Sequence, residues 1–287
     1  MNSNYAYLSF YLASIFFYTS DVLQKTSSKA AITWPYLFIR SCYSSVISVA
    51  FTILFFGVSS LPSFSIISQL SFCSIWCGFG LFFYVKSINT LQFSNVGSLT
   101  IVGNVLQQLS GILLFKEKFT AIDFVAYAFM SFGCILQLLF SKTFKGAKYV
   151  LLSTLFWTSG YIMLSRVLKQ TTVYWSVPII EITIMAMGFI MVKVYPIILK
   201  SKVHLEETKT IQPIYLVGIA VLTYFASLMN NNLFKNLPIS TIGILQLSLM
   251  PITYLVSLKI FKEKPNKLEL ISFITGFLGF ALFVYTH

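Results

Sequence analysis

The chain is 287 residues long, 57% apolar and only 10% charged. A soluble domain could not carry that balance without precipitating, which excludes a globular enzyme or binding module in water and puts the chain in a lipid bilayer. The formal charge of +12 comes largely from lysines in short connections, so it speaks to membrane orientation and not to a nucleic-acid partner.

Apolar segments of about 20 residues, enough to cross about 30 Å of hydrocarbon, are centred near Phe16, Val46, Phe79, Gly103, Ala128, Phe156, Ala186, Leu222, Leu247 and Phe277. None alternates as barrel strands do, so the predicted fold is an all-α integral membrane protein with ten transmembrane helices. The first span follows Met1-Asn2-Ser3-Asn4, which has no basic cluster, and lacks a small-residue cleavage pattern ahead of Lys25. It is read as a retained helix.

That span carries Tyr18 and, near its end, Asp21. The second holds Trp34 and Arg40. The third holds Cys73, Trp76, Cys77, Tyr84 and, near its end, Lys86. Cys73 and Cys77 share a face, but their spacing matches no metal or redox motif, and with Cys42 and Cys134 they are read as packing residues. The fourth span bears Asn95, Thr100, Asn104, Gln107 and Gln108, a polar set that lipid would penalise and that should turn inward.

The sixth span carries Trp157 and Tyr161, and the seventh Trp175, Pro178 and Glu181. Asn230, Asn231 and Asn232 are expected to end the eighth as a cap or turn, and Pro178 and Pro251 to interrupt the seventh and ninth. The ninth answers the fourth with Thr241, Gln246, Ser248 and Thr253, and Gly133, Gly276 and Gly279 give spans five and ten small residues for close packing. Connections after the odd-numbered spans hold about eleven basic residues against about five opposite, which puts Lys145 and Lys200 in the cytoplasm and both termini outside.

The sequence is one unit written twice. Phe115-Lys116-Glu117-Lys118 recurs as Phe261-Lys262-Glu263-Lys264, and Ser94 with Ser240, Gly97 with Gly243 and Gly133 with Gly279 keep the same displacement. Phe17 with Trp157, Trp34 with Trp175 and Arg40 with Glu181 pair at a slightly shorter one. Residues 1–143 and 144–287 then hold five spans each, an odd number, so the second repeat is inverted relative to the first. Inverted repeats place a solute near the midplane and allow alternating access. Glu117 and Glu263 are read as interfacial anchors of a tight helix turn.

The pattern of a helix opening on a Pro or small polar residue and closing on an aliphatic run, then an acid flanked by bases, then a Gly-bearing helix, resembles the EamA-type repeat. Ser94 through Gly133 and Ser240 through Gly279 carry the likeness, with support from Trp157 and Arg40. Two such repeats look like a member of the drug/metabolite transporter superfamily. The resemblance implies that spans five and ten stand outside the substrate bundle and mediate dimers, and that the helices bearing Tyr18, Trp76, Tyr84 and Tyr161 line the pore. One departure is the uncharged connection Gly57 to Gln69, where family members are often basic.

Arg40 and Glu181 lie about 8 to 9 Å inside the bilayer from opposite faces, close enough for extended side chains nearly to bridge or to hold the two ends of a zwitterion. Arg40 would attract a carboxylate or phosphate, and Glu181 an ammonium or a coupling proton; the plainer alternatives are a structural ion pair or a snorkelling arginine. The candidate substrate-binding set is Arg40, Glu181, Tyr18, Trp76, Tyr84, Asn104, Gln108, Trp157, Tyr161, Trp175 and Gln246.

No P-loop, metal-ligand cluster or nucleophile triad is present, and His204 and His287 sit in a connection and at the terminus. The expected function is secondary-active transport, without cofactor, metal or catalysis, coupled to protons or sodium. The expected solute is an amino acid or another zwitterion or cation, with export favoured over import, in the cell membrane, as a monomer or homodimer. The rival reading is an exporter of lipophilic cationic drugs.

Overall fold

A computed structural model describes residues 3–28, 33–91, 93–117, 120–122, 124–126, 128, 129, 131, 132, 144–199, 211–247, 249, 256–263 and 267–286. Its elements are helices α1 (Ser3–Ser27), α2 (Thr33–Phe56), α3 (Phe64–Thr90), α4 (Phe93–Leu99), α5 (Ile101–Phe115), α6 (Phe144–Leu168), α7 (Ser176–Leu199), α8 (Pro213–Asn236), α9 (Ile239–Leu247) and α10 (Lys267–Thr286), with one 3₁₀ turn at Val58–Ser60. Among the described residues, seven stretches are long and apolar enough to cross a membrane: Tyr5–Ser27, Thr33–Phe56, Phe64–Thr90, Asn95–Phe115, Gly146–Leu168, Ser176–Val194 and Pro213–Asn236. They match the expected spans one to four and six to eight, α4 and α5 together making the fourth. The expected fifth span lies mostly outside the described residues, as do Gly133, Cys134, Pro251 and Thr253.

Helix α2 shows why water cannot be the solvent. Arg40, Ser41, Ser44, Ser45, Ser48 and Thr52 are all buried, while Val46, Ile53, Leu54 and Phe55 are exposed. In water that arrangement would hide polar groups and display oil, the reverse of what drives folding. In a bilayer the apolar face meets acyl chains, and the polar face must find partners inside the protein. The protein is therefore a multi-pass membrane protein, all-helical among the described residues.

Residues Met1–Val85 with Ser159–Asn236 form one compact unit, and Lys86–Thr158 with Leu237–His287 another. Each draws on both halves of the sequence. In the first unit small residues bring helices close. A β-carbon on Gly188 of α7 would sit 3.1 Å from the Cα of Phe38 on α2, and one on Gly160 of α6 would sit 2.7 Å from Cys77 Sγ on α3. Hydrogen bonds add to this: the Ser20 and Thr223 hydroxyls meet at 3.0 Å between α1 and α8, and the Thr52 and Tyr224 hydroxyls at 3.1 Å between α2 and α8.

Two expectations change here. Asn230 and Asn231 do not end a helix, because α8 runs on to Asn236; both are buried, and Asn231 Nδ2 donates to Ser176 Oγ at 2.8 Å, tying α8 to the start of α7. Pro178 does not interrupt α7 either. It is the third residue of that helix, in the first turn where a backbone N–H has no intrahelical partner to lose.

In the second unit α5 and α9 cross at Gly243, where an added β-carbon would lie 3.0 Å from Gln108 Cγ and 3.1 Å from the Asn104 carbonyl oxygen. Lys116 and Lys262 both take the left-handed conformation, φ 54° and 51°. Each closes its helix with the same bond: Glu117 N–H donates to Gly111 O at 3.1 Å, and Glu263 N–H to Ser257 O at 3.2 Å. The duplicated tetrapeptide thus encodes a duplicated helix stop.

Candidate functional site

The charges expected inside the membrane gather in the first unit. Arg40 comes from the second turn of α2 and Glu181 from the second turn of α7. Their side chains meet, Arg40 Nη1 donating to Glu181 Oε2 at 3.2 Å and lying 3.5 Å from Oε1, and each residue is only 4% exposed. A bare guanidinium in that position would be prohibitively costly; the pair makes it tolerable.

A second carboxylate belongs to the same site. Asp21, half-buried on α1, is hydrogen-bonded to the Tyr84 hydroxyl of α3 and lies within electrostatic reach of Arg40. Tyr18 lies one turn before Asp21 and in reach of Tyr84. Tyr161 of α6 is in reach of both Glu181 and Asp21, and its ring stacks on Phe234 of α8 at 4.8 Å. Five helices therefore bring two acids, one guanidinium and three phenols to one region. Lys25, one turn beyond Asp21, is buried as well.

Comparison with known proteins gives the family. Residues 144–285 match the model of the EamA-like transporter family. The chain belongs to that family. A solved crystal structure of a protein, 16% identical in sequence, superposes with a TM-score of 0.69 over 99% of this chain and 97% of its own; at that identity the likeness concerns the fold. No curated protein matches the sequence. The EamA-like family is one of membrane transporters of small molecules, not of enzymes.

The other candidate residues of this EamA-like chain divide between the units. Trp76 is half-buried on α3 of the first unit. Trp175 is buried beside the start of α7, its indole N–H donating to Ser60 Oγ at 3.0 Å, so it fastens the connection after α2. Its repeat partner Trp34 is buried and stacks on Phe82 at 4.0 Å. Asn104, Gln108, Trp157 and Gln246 lie in the second unit. There Gln108 is fully buried at the α5–α9 crossing, and neither of its amide atoms has a hydrogen-bond partner among the described residues.

Two features escaped the sequence reading. One is the serine ladder of α2, legible as a polar residue every three or four positions from Ser41 to Thr52. The other is the destination of the two tetrapeptide acids. Glu117 accepts from the N–H groups of Ile239 at 3.1 Å and Ser240 at 3.0 Å, capping α9, and Glu263 accepts from the N–H of Phe93 at 2.7 Å, capping α4. Each copy of the repeat thus caps the other copy's helix.

Proposed function

We propose that this EamA-like protein is a secondary-active carrier, in the cell membrane, of a small solute bearing a positive charge, an amino acid or another zwitterion or organic cation. The observation that carries the reading is the grouping of Asp21 and Glu181 about the single guanidinium of Arg40. With both acids ionised this trio holds a formal excess of one negative charge, which in a low-dielectric interior favours a cation or a proton. Tyr18, Tyr84 and Tyr161 supply the rings against which an ammonium gains about 0.5 to 2 kcal/mol per contact.

The Arg40–Glu181 contact fits a pair that neutralises itself while the site is empty. A zwitterion can replace each partner with its own opposite charge, so neither is left bare when the pair parts. A gradient of protons or sodium supplies the energy, with export the favoured direction.

The test is uptake into proteoliposomes holding the purified protein, with amino acids, primary amines, quaternary amines, nucleosides and sugar phosphates as competitors and an imposed pH or sodium gradient. Competition by amino acids or amines supports the reading. Competition by sugar phosphates or nucleosides alone sinks it.

A further inference from the structure

Among the described residues, buried side-chain atoms lacking a hydrogen-bond partner concentrate on α2: Trp34 Nε1, Arg40 Nε and the hydroxyls of Ser41, Ser44 and Ser45. Serines inside a transmembrane helix ordinarily satisfy themselves by donating to the carbonyl one turn back. This chain does so repeatedly, Ser14 to Phe10 O at 2.7 Å, Ser74 to Leu70 O at 2.6 Å and Ser110 to Leu106 O at 2.8 Å. The three serines beside Arg40 do not. They are 0 to 4% exposed, so bulk water is not their partner.

Their spacing makes them one surface. Arg40 and Ser44 are four residues apart, Ser41 and Ser44 three, and Ser41 and Ser45 four, the separations at which helical side chains are neighbours, with β-carbons about 5 to 6 Å apart. Arg40 uses Nη1 on Glu181, and its buried Nε–H has no hydrogen-bond partner among the described residues. Nε–H can only donate, and a serine hydroxyl can donate as well as accept. What completes a row of donors is a group that only accepts.

We infer that α2 carries a carboxylate subsite, in which the acid group of the solute accepts from Arg40 Nε–H and the Ser44 hydroxyl, with Ser41 adjoining. This rests on the reading of the solute given above and deepens it. A lone anion is disfavoured, because it would take the guanidinium from Glu181 and put a further acid beside Asp21. A carboxylate arriving with its own ammonium answers both the donors of α2 and the excess of acid on α1 and α7, so the subsite selects zwitterions over both simple amines and simple anions.

The experiment compares L-phenylalanine with phenethylamine and L-lysine with cadaverine as competitors for uptake into proteoliposomes, for the wild-type chain and for Ser44→Ala, Ser41→Ala, Ser44→Thr and Ser14→Ala. Losing a hydrogen bond to a charged group weakens binding about ten- to a hundredfold. Ser44→Ala is expected to weaken the amino acid by that factor and its amine much less, with Ser44→Thr restoring the difference and Ser14→Ala altering neither. Equal losses for amino acid and amine, or none in Ser44→Ala and Ser41→Ala together, would overturn the subsite while leaving the carrier reading intact. A wild-type protein that accepts neither compound of either pair overturns the solute class itself, and the subsite with it.

Discussion

Glu117 and Ser240 are 123 positions apart in sequence, and the carboxylate of the first accepts the backbone N–H of the second at 3.0 Å. The same relation is made in reverse by Glu263 and Phe93 at 2.7 Å. Each acid lies just past a left-handed lysine, which turns the chain so that the side chain reaches the start of the other copy's helix. A carboxylate at a helix start satisfies orphan donors and meets the positive end of the helix dipole.

Removing either cap should therefore destabilise the fold to a similar degree. Glu117→Ala and Glu263→Ala are each expected to cost about 1 to 2 kcal/mol, and the Gln variants less, since an amide oxygen still accepts. Thermal unfolding in detergent measures this. A large loss at one acid and none at the other would contradict the exchange of caps.

The two copies differ at one point beneath these acids. A β-carbon at Gly111 would lie 2.5 Å from Glu117 Oε2 and 3.2 Å from Ser240 Cβ, whereas its counterpart Ser257 uses its hydroxyl to donate to Glu263 Oε2 at 2.8 Å. Gly111→Ala should push the Glu117 carboxylate off both backbone N–H groups and cost about as much as Glu117→Ala. Ser257→Ala removes a single bond worth about 1 kcal/mol. Unfolding of the two variants side by side gives the ordering.

The membrane character and the duplication were legible because both are local: apolar length is a count, and a repeated tetrapeptide is a string match. The caps were not, because a helix start 122 residues away from Glu117 leaves no mark beside it, and a charged residue after an apolar run reads equally well as an interfacial anchor. Arg40 and Glu181 were legible as a pair through the repeat, since deep charges in lipid must have company. The bond from Trp175 to Ser60 leaves no mark in sequence either, because an indole there looks the same in a substrate site or fastening a connection. The serine ladder was visible as spacing, but its missing internal bonds exist only in three dimensions.

The Arg40–Glu181 pair gives a test that separates packing from charge. Leaving one partner buried without the other should cost about 3 to 5 kcal/mol, while replacing both with neutral residues of similar size should recover most of it. Arg40→Met and Glu181→Gln are expected to be strongly destabilised singly and close to wild type in the double variant, as read by thermal unfolding in detergent. Additive losses would mean that the two side chains do not depend on one another. Transport should not recover in the double variant, because the site would then hold neither the guanidinium nor its acid. An exporter of lipophilic cations, by contrast, would retain transport once Arg40 is replaced.

Asp21 offers the sharpest reading of charge. Its carboxyl is held by the Tyr84 hydroxyl and stands near a guanidinium already engaged by Glu181, so Arg40 alone does not answer both acids. Asp21→Asn keeps a carbonyl oxygen for Tyr84 and nearly the same volume, and removes only that charge. Stability should change little, while a cationic or zwitterionic solute should lose affinity about tenfold or more, the scale of a lost charge-assisted contact. Competition curves for L-lysine and cadaverine in the wild type and Asp21→Asn measure the shift, with thermal unfolding as the control for folding. Unchanged affinity for both compounds in a well-folded variant would mean that Asp21 serves the packing of α1 against α3 and that the solute's positive end is held elsewhere.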